Sequence, residues 1–357
     1  MRSVLNAIAF LANAMPAILL LATVALSIAV SGQTASCSTG MEMFRQHRWP
    51  EAANAFAECE NHDPGKTDAL LYKGKSLVNL RRYDEAATAL QLYAAAHPQS
   101  DDAAYLLAYV SFRQDKPKES LQLFTTASRL KPPTANDLKI VALDYVLLSD
   151  YGDAAHYLEL SLKGDPGDVE ARYHLGRVRY QQNQFDLAIA AFEEVLKRDP
   201  NNVKAQDNLG LSLEAENKIE AAIAAYHRAI ELDKNAASHT EQPYLNLGSL
   251  LAKSNQGDEA IPLLARACEI APNEFSVHYA LSKAYFDANR LETAHLQAEE
   301  AVKLRPADSS GHYLLGRIYQ RLGQSEAAKE QFRLTSELVR EKDAKSQSGM
   351  ASGINSH

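Results

Sequence analysis

The 357-residue chain has only three cysteines, one tryptophan, 16 glycines and 13 prolines. Three cysteines exclude a disulfide-dense scaffold and a cysteine-rich zinc module. Glycine and proline are too sparse for a loop-rich all-β protein and suit a mostly helical one. A basic surplus is missing too. The 37 Lys and Arg residues face 45 Asp and Glu, a formal charge of −8, which argues against a general nucleic-acid binder. The sequence holds no Gly-rich phosphate loop, no GxSxG elbow and no HExxH. Its eleven histidines include no pair at helical i, i+4 spacing, so no metal site, no cofactor and no catalytic residues are expected. With 46% hydrophobic and 23% charged positions, the chain can nevertheless bury a large core.

Residues 1–32 differ from the rest. Arg2 is their one charged side chain, followed by an apolar stretch from Val4 to Val30 interrupted by Asn6, Asn13 and Pro16. Small residues at Ser31 and Gly32 suit cleavage before Gln33, the pattern of a signal peptide. The stretch is also nearly long enough for an uncleaved membrane anchor, with Arg2 keeping the N-terminus in the cytoplasm. A third reading is lipid attachment at Cys37, since Thr34, Ala35, Ser36 and Cys37 loosely match a lipobox, though the usual Leu is missing. The first reading makes the protein exported, periplasmic or secreted. In the second it is membrane-anchored with the remainder outside the cytoplasm, and this segment is its only expected membrane contact.

The remainder of the chain is organised by one fixed period. Pro64, Pro98, Pro132, Pro166 and Pro200 lie 34 apart, as do Pro272 and Pro306; the gap between the two series is two periods plus four. The extra four residues fall near Ala237 to Thr240. Twelve residues before each lattice proline is a small residue (Ala52, Ala86, Ser120, Ala154, Ala188, Ala260, Ala294), and eight before it a large apolar one in every case but Ala298. Twenty-four before it is another small residue: Gly40, Gly74, Ala108, Ala142, Gly176, Gly248 or Ser282. These spacings predict two short helices packed face to face, with small residues admitting close backbone approach, large ones filling the groove and proline ending the second helix. His278, His295 and His312 are 17 apart, half the period, and follow the repeat rather than a metal.

This pattern resembles the tetratricopeptide repeat (TPR) family. Leu175, Gly176, Phe185, Ala188, Phe192 and Pro200 match its motif in segment 169–202, and Val141, Ala142, Tyr145, Tyr151, Ala154, Leu158 and Pro166 match it in 135–168. Nine units are expected: 33–66, 67–100, 101–134, 135–168, 169–202, 203–236, 241–274, 275–308 and 309–342. The resemblance implies an all-α fold, a right-handed α-α superhelical solenoid of helix-turn-helix repeats. Gly176, Ala188, Phe192 and Pro200 take structural roles in it. Ala298 should leave the eighth hairpin thinly packed. Residues 343–357, rich in Ser and Gly, are expected to be a disordered tail. Cys37 and Cys59 fall at positions 5 and 27 of the antiparallel helices of the first unit, where an oxidising compartment would join them, while Cys268 reads as a small buried hydrophobe.

In this family the first helices line a concave groove that usually carries the binding site. Position 9 reads Lys75, Arg177, Lys283 and Arg317, and nearby positions add Arg113, Lys139, Lys253 and Arg321. Tyr105, Tyr109 and Tyr173 interleave with them. That set suggests a locally basic, aromatic channel for an extended peptide carrying carboxylates or a free C-terminus. His174, Asn208 and Asn246 share position 6 in three consecutive units, and an Asn ladder would hold a peptide backbone, since an amide both donates and accepts. The expected function is a non-enzymatic protein-protein interaction scaffold whose partner is another protein or peptide and not nucleic acid. The alternative is an assembly or recruiting subunit of an envelope secretion, pilus or polysaccharide complex.

Overall fold

Each hairpin is built around one close approach between its two helices. In the computed structural model, which describes residues 37–62 and 68–354, all regular structure is helical. The helices are α1 (37–45), α2 (Trp49–His62), α3 (Ala69–Asn79), α4 (Tyr83–Ala96), α5 (Asp101–Arg113), α6 (Pro117–Leu130), α7 (Ala135–Leu147), α8 (Tyr151–Gly164) and α9 (Val169–Gln181). They continue as α10 (Phe185–Arg198), α11 (Val203–Ala215), α12 (Ile219–Asp233), α13 (Gln242–Lys253), α14 (Gly257–Ile270), α15 (Phe275–Asp287), α16 (Leu291–Leu304), α17 (Ser309–Arg321) and α18 (Ser325–Ile354). The expected leader 1–32, its cleavage point at Gln33 and the lattice residue Pro64 lie outside the described residues. The helices pair consecutively, α1 with α2 through α17 with α18. Two compact bodies divide within α9, Met1–Ala171 and Arg172–His357.

Position 8 of the first helix faces position 24 of the second. A Cβ added at Gly74 would sit 2.6 Å from Leu90 Cγ, at Gly176 2.7 Å from Phe192 Cε1, and at Gly210 2.5 Å from Tyr226 Cε1. Real Cβ atoms do not come that close, so the missing side chain lets each large partner seat itself fully; Leu90, Phe192 and Tyr226 are all completely buried. Ala188, at position 20 of the same seam, is equally buried, and Pro200 follows the end of α10 in a turn. The eighth hairpin solves the same problem differently. Ser282 and Ala298 are both buried there, and the Ser282 hydroxyl donates to the Ala294 carbonyl at 2.8 Å. Ala298 is thus shielded from water despite its small size, and a polar bond joins the two helices at this seam.

In the third hairpin Ser120 replaces the usual Ala, and its Oγ lies 2.9 Å from the Ala108 carbonyl and 2.5 Å from Asp144 Oδ2. One hydroxyl proton cannot serve two acceptors, so the arrangement favours a proton on Asp144. Burial acts in the same direction and is the main cause that pushes the Asp144 carboxyl up to about 7.

The turn between the two helices is also periodic. His47, Arg81, Asp115, Ser149, Asn183, Asn217, Asn255, Asn289 and Gly323 occupy position 15 of successive hairpins, every one with φ between 57° and 75°. This left-handed residue ends the first helix by a reversal. The next backbone N–H donates five residues back, as from Arg82 to the Leu77 carbonyl at 2.9 Å and from Lys218 to Leu213 at 2.8 Å, the closing bond of a Schellman motif. Four asparagines and a glycine suit that backbone; the other four residues bear its steric cost.

Hairpins stack by burying apolar faces against their neighbours. In the first body Ala53, Leu70, Leu77, Leu90, Tyr93, Leu107 and Val110 form one cluster spanning α2 to α5. In the second, Tyr226, Tyr244, Leu247, Leu251, Leu264, Val277 and Leu281 do the same from α12 to α15. Helix starts are capped where the sequence allows, as at Thr134 and Asp137, whose reciprocal bonds form a capping box before α7. His278 and His312, one period apart, make equivalent clamps. Each ring contacts a proline carbonyl (Pro272 or Pro306) and a glutamine side chain of the following helix (Gln297 or Gln331) at 2.7–3.0 Å.

Cys37 and Cys59 are joined by a disulfide across the first hairpin, with Cα atoms 5.3 Å apart. Burial pushes the Cys268 thiol up to about 12, which keeps it protonated. At the other end, α18 continues to Ile354, so residues 343–354 are helical rather than the disordered tail expected from their composition. No proline interrupts that segment, and extending an existing helix costs far less than nucleating one.

Gly176→Leu should drive a side chain into Phe192 and lower stability by roughly 1–3 kcal/mol. Thermal denaturation followed by circular dichroism measures it, with Gly152→Ala, whose added Cβ would meet nothing closer than Asp150 Oδ1 at 3.5 Å, as the tolerated control.

Candidate functional site

The widest-lined cleft of the first body lies among first helices. In the first body, α3, α5 and α7 wall a cleft of about 770 Å³, a volume typical of ligand pockets. Val78, Leu106, Phe112, Ile140 and Leu143 give it an apolar lining. Tyr105 and Tyr109 stand among them, Tyr105 donating to the Lys131 carbonyl at 2.6 Å and Tyr109 accepting from Arg113 at 2.8 Å. Lys75, Arg113 and Lys139 complete the lining. Five of the residues singled out from the sequence therefore share one cleft.

The charges in this cleft are matched rather than basic. Lys75 pairs with Asp102 at 2.7 Å, Lys131 with Asp101 at 2.9 Å, and Lys139 with Glu170 at 2.7 Å and Asp168 at 3.0 Å. Burial works to lower the Lys139 pKa, but the two carboxylates outweigh it and hold it above the ordinary lysine value. Arg113 is the exception. Its guanidinium stacks on Tyr83 at 4.8 Å and Tyr109 at 5.7 Å and has no carboxylate partner among the described residues.

In the second body, Tyr173 and His174 lie ring against ring on α9, 5.6 Å apart. Asn208 on α11 spends its amide on the Lys204 carbonyl at 2.8 Å and the Tyr173 hydroxyl at 3.3 Å. Asn246 on α13 donates to both oxygens of Asp207, at 3.0 and 3.2 Å. Arg177 is exposed. Lys253 is paired with Glu214 at 3.0 Å and Lys283 with Asp287 at 3.2 Å. Arg317 stacks on Phe286 at 4.7 Å and Tyr313 at 5.9 Å, and Arg321 on Phe286 at 5.3 Å.

The family model described as tetratricopeptide repeat matches residues 39–101, 71–133, 142–203, 175–237, 208–275 and 279–335. The chain belongs to the tetratricopeptide repeat family. Among solved structures it resembles a tetratricopeptide repeat protein from Parabacteroides merdae ATCC 43184, with 13% identity, a TM-score of 0.54, and 71% of this chain and 98% of that chain covered. It also resembles the APC/C hetero-tetramer Cut9-Hcn1, with 17% identity, a TM-score of 0.56, and 78% of this chain covered; it spans 54% of that chain. Likeness at these identities is one of fold. No curated protein matches the sequence. Tetratricopeptide repeats generally mediate protein or peptide binding, and the fold is consistent with an interaction scaffold.

Within the repeats, two expectations change. The basic channel is not found in the first body's cleft, because acids at the starts of first helices pair with its lysines, Lys75 and Lys139 meeting those of the following repeat and Lys131 that of its own. Asp102 and Glu170 both occupy position 2, one repeat after the base they meet. That coincidence of position is visible in the sequence once acids are read across repeats as well as bases. The Asn ladder is also modified. The Nδ2 groups of Asn208 and Asn246 are engaged within the protein, leaving mainly their acceptor oxygens to a ligand. Asp207 gives no signal in the sequence because a single carboxylate at position 5 looks like surface, yet it is buried. That burial pushes its carboxyl up to about 7, with the Asn246 bond opposing it.

An acid whose pKa is raised on folding stabilises least when it must ionise. Its penalty is absent below about pH 4, grows as the pH rises through the interval up to about 7, and stays constant above that. Asp207→Asn should therefore remove a loss of roughly 2–4 kcal/mol that develops between about pH 4 and 7. Urea melts across that range check this. A wild-type and variant difference that does not change with pH contradicts it.

Proposed function

We propose that this tetratricopeptide protein is a non-enzymatic scaffold that binds an extended segment of a partner protein through its first helices. The cleft walled by α3, α5 and α7 supports that reading above all. It has the volume for one or two large side chains, an apolar and aromatic lining, and hydrogen-bonding groups at its edge. Its internally matched charges favour apolar anchoring over general attraction to acids. Such buried anchors carry most of the energy in peptide recognition, while surrounding polar contacts fix register.

Selection of a displayed random-peptide library on the full chain tests this reading. Enriched peptides should share an aromatic or leucine anchor, and Tyr109→Ala combined with Leu143→Ser should weaken them at least about tenfold without moving the melting temperature by more than a few degrees. Absence of any enriched peptide, or enrichment indifferent to the two substitutions, overturns it.

We also propose that the repeats lie outside the cytoplasm. The apolar N-terminal stretch following Arg2 supports this, as does the Cys37–Cys59 pairing, which persists only in an oxidising compartment. Alkylation of the protein as isolated from its native compartment should leave two of its three cysteines unmodified until reductant is added. Three freely reacting thiols in unfolded, unreduced protein would overturn the assignment.

A further inference from the structure

Next to the α3, α5 and α7 cleft lies a second depression of about 420 Å³, formed where α4 and α6 begin. Arg113 lines both. Four bases and two acids border the smaller one, so positive charge is in excess there. Glu85 is held in a two-pronged pair by Arg82, both bonds 2.6 Å, and Asp84 accepts from the Gln114 amide at 2.7 Å. Arg81 and Arg113 have no carboxylate partner among the described residues. Between them stands Tyr83, whose phenol feels the positive charge of both guanidinium groups while burial is the main influence on it. The starts of both helices point the same way, since neither α4 nor α6 has a side-chain cap on its first backbone N–H groups.

Backbone conformation adds an independent observation. Arg81 takes the left-handed position of its turn, with φ 59°. Asn stands at four of the nine equivalent positions and Gly at a fifth, and a long side chain there costs stability that Asn or Gly would not.

We infer that Arg81 and Arg113 form a carboxylate-docking subsite that selects partner segments carrying Asp or Glu beside the anchor seated in the main cleft. This rests on the peptide-binding reading above and adds to it the chemistry of the flanking residues. Guanidinium groups suit carboxylates because two parallel N–H donors match the two oxygens. Tyr83 holds the Arg113 plane by stacking, so the group is positioned before a ligand arrives. Within the main cleft the lysines are already neutralised; this edge is where an incoming acid finds an unanswered charge.

The same displayed-peptide selection separates the two readings. On the wild-type chain, enriched peptides should combine the anchor with Asp or Glu clustered on one side of it. On Arg81→Asn the anchor should persist and the acidic enrichment should disappear. Synthetic peptides from the first selection should bind that variant roughly fivefold more weakly, while versions with Gln in place of the acids should bind both proteins alike. Because Asn suits the left-handed backbone, the variant should melt no lower than the wild type, so weaker binding cannot be attributed to unfolding. Anchored peptides without acidic enrichment overturn the subsite and leave the cleft intact, whereas no anchored peptides at all overturn both. Displacement of the acidic peptides by inorganic phosphate, at concentrations where chloride has no effect, would overturn the peptide assignment in favour of a free-anion site.

Discussion

The contact between position 8 and position 24 sets the distance between the two helices of every hairpin. Where position 8 is glycine, a leucine, phenylalanine or tyrosine from the partner helix occupies the space its side chain would need. Dispersion forces at such close range fall off steeply with distance, so the helices are held near a single separation. That separation puts each second helix at the right height for the next first helix, and the apolar clusters between hairpins follow from it. In the eighth hairpin, where Ser282 and Ala298 are both small and buried, the seam carries instead a hydrogen bond from the Ser282 hydroxyl to the Ala294 carbonyl.

Repetition of one hairpin has a consequence for charge. Three first helices open on acids, which favour a helix N-terminus: Asp101 and Asp102 on α5, Asp137 on α7 and Glu170 on α9. Stacked in register, the base of one hairpin meets the acid that opens the next, as Lys75 meets Asp102 and Lys139 meets Glu170. The first body's cleft is consequently neutral within and apolar at its floor. Positive charge without a carboxylate partner among the described residues includes arginines stacked on aromatic rings: Arg113 on Tyr83 and Tyr109, and Arg317 on Phe286 and Tyr313. Stacking satisfies a guanidinium face while leaving its edge donors available, which makes these arginines suited to a partner.

Much of the fold is legible in the residues alone. Prolines one period apart, with small and large residues in fixed phase, identify the hairpins because each expresses a steric requirement that any such hairpin must meet. The candidate site is legible in part. Lys75, Tyr105, Tyr109, Arg113 and Lys139 do come together, since residues at groove positions of adjacent repeats necessarily neighbour one another. Their electrostatic environment is harder to read, because the acids that meet Lys75 and Lys139 lie almost a full repeat away and show only when acids are aligned across repeats. Nor is the engagement of Asn208 and Asn246, whose donors meet Tyr173 and Asp207 one repeat earlier. The recurrent left-handed turn leaves no clear sequence signal because the residues that fill it, from His47 to Gly323, share a conformation and no common chemistry.

The sequence by itself determined the repeat and the helical hairpin, because these rest on local sterics and on a periodicity that the prolines mark directly. Only the tertiary structure decided which charges cancel, which polar groups are spent and which carboxylates are buried. Those outcomes depend on distances between side chains a repeat apart and on how much water remains around them, quantities that exist only once the hairpins have stacked.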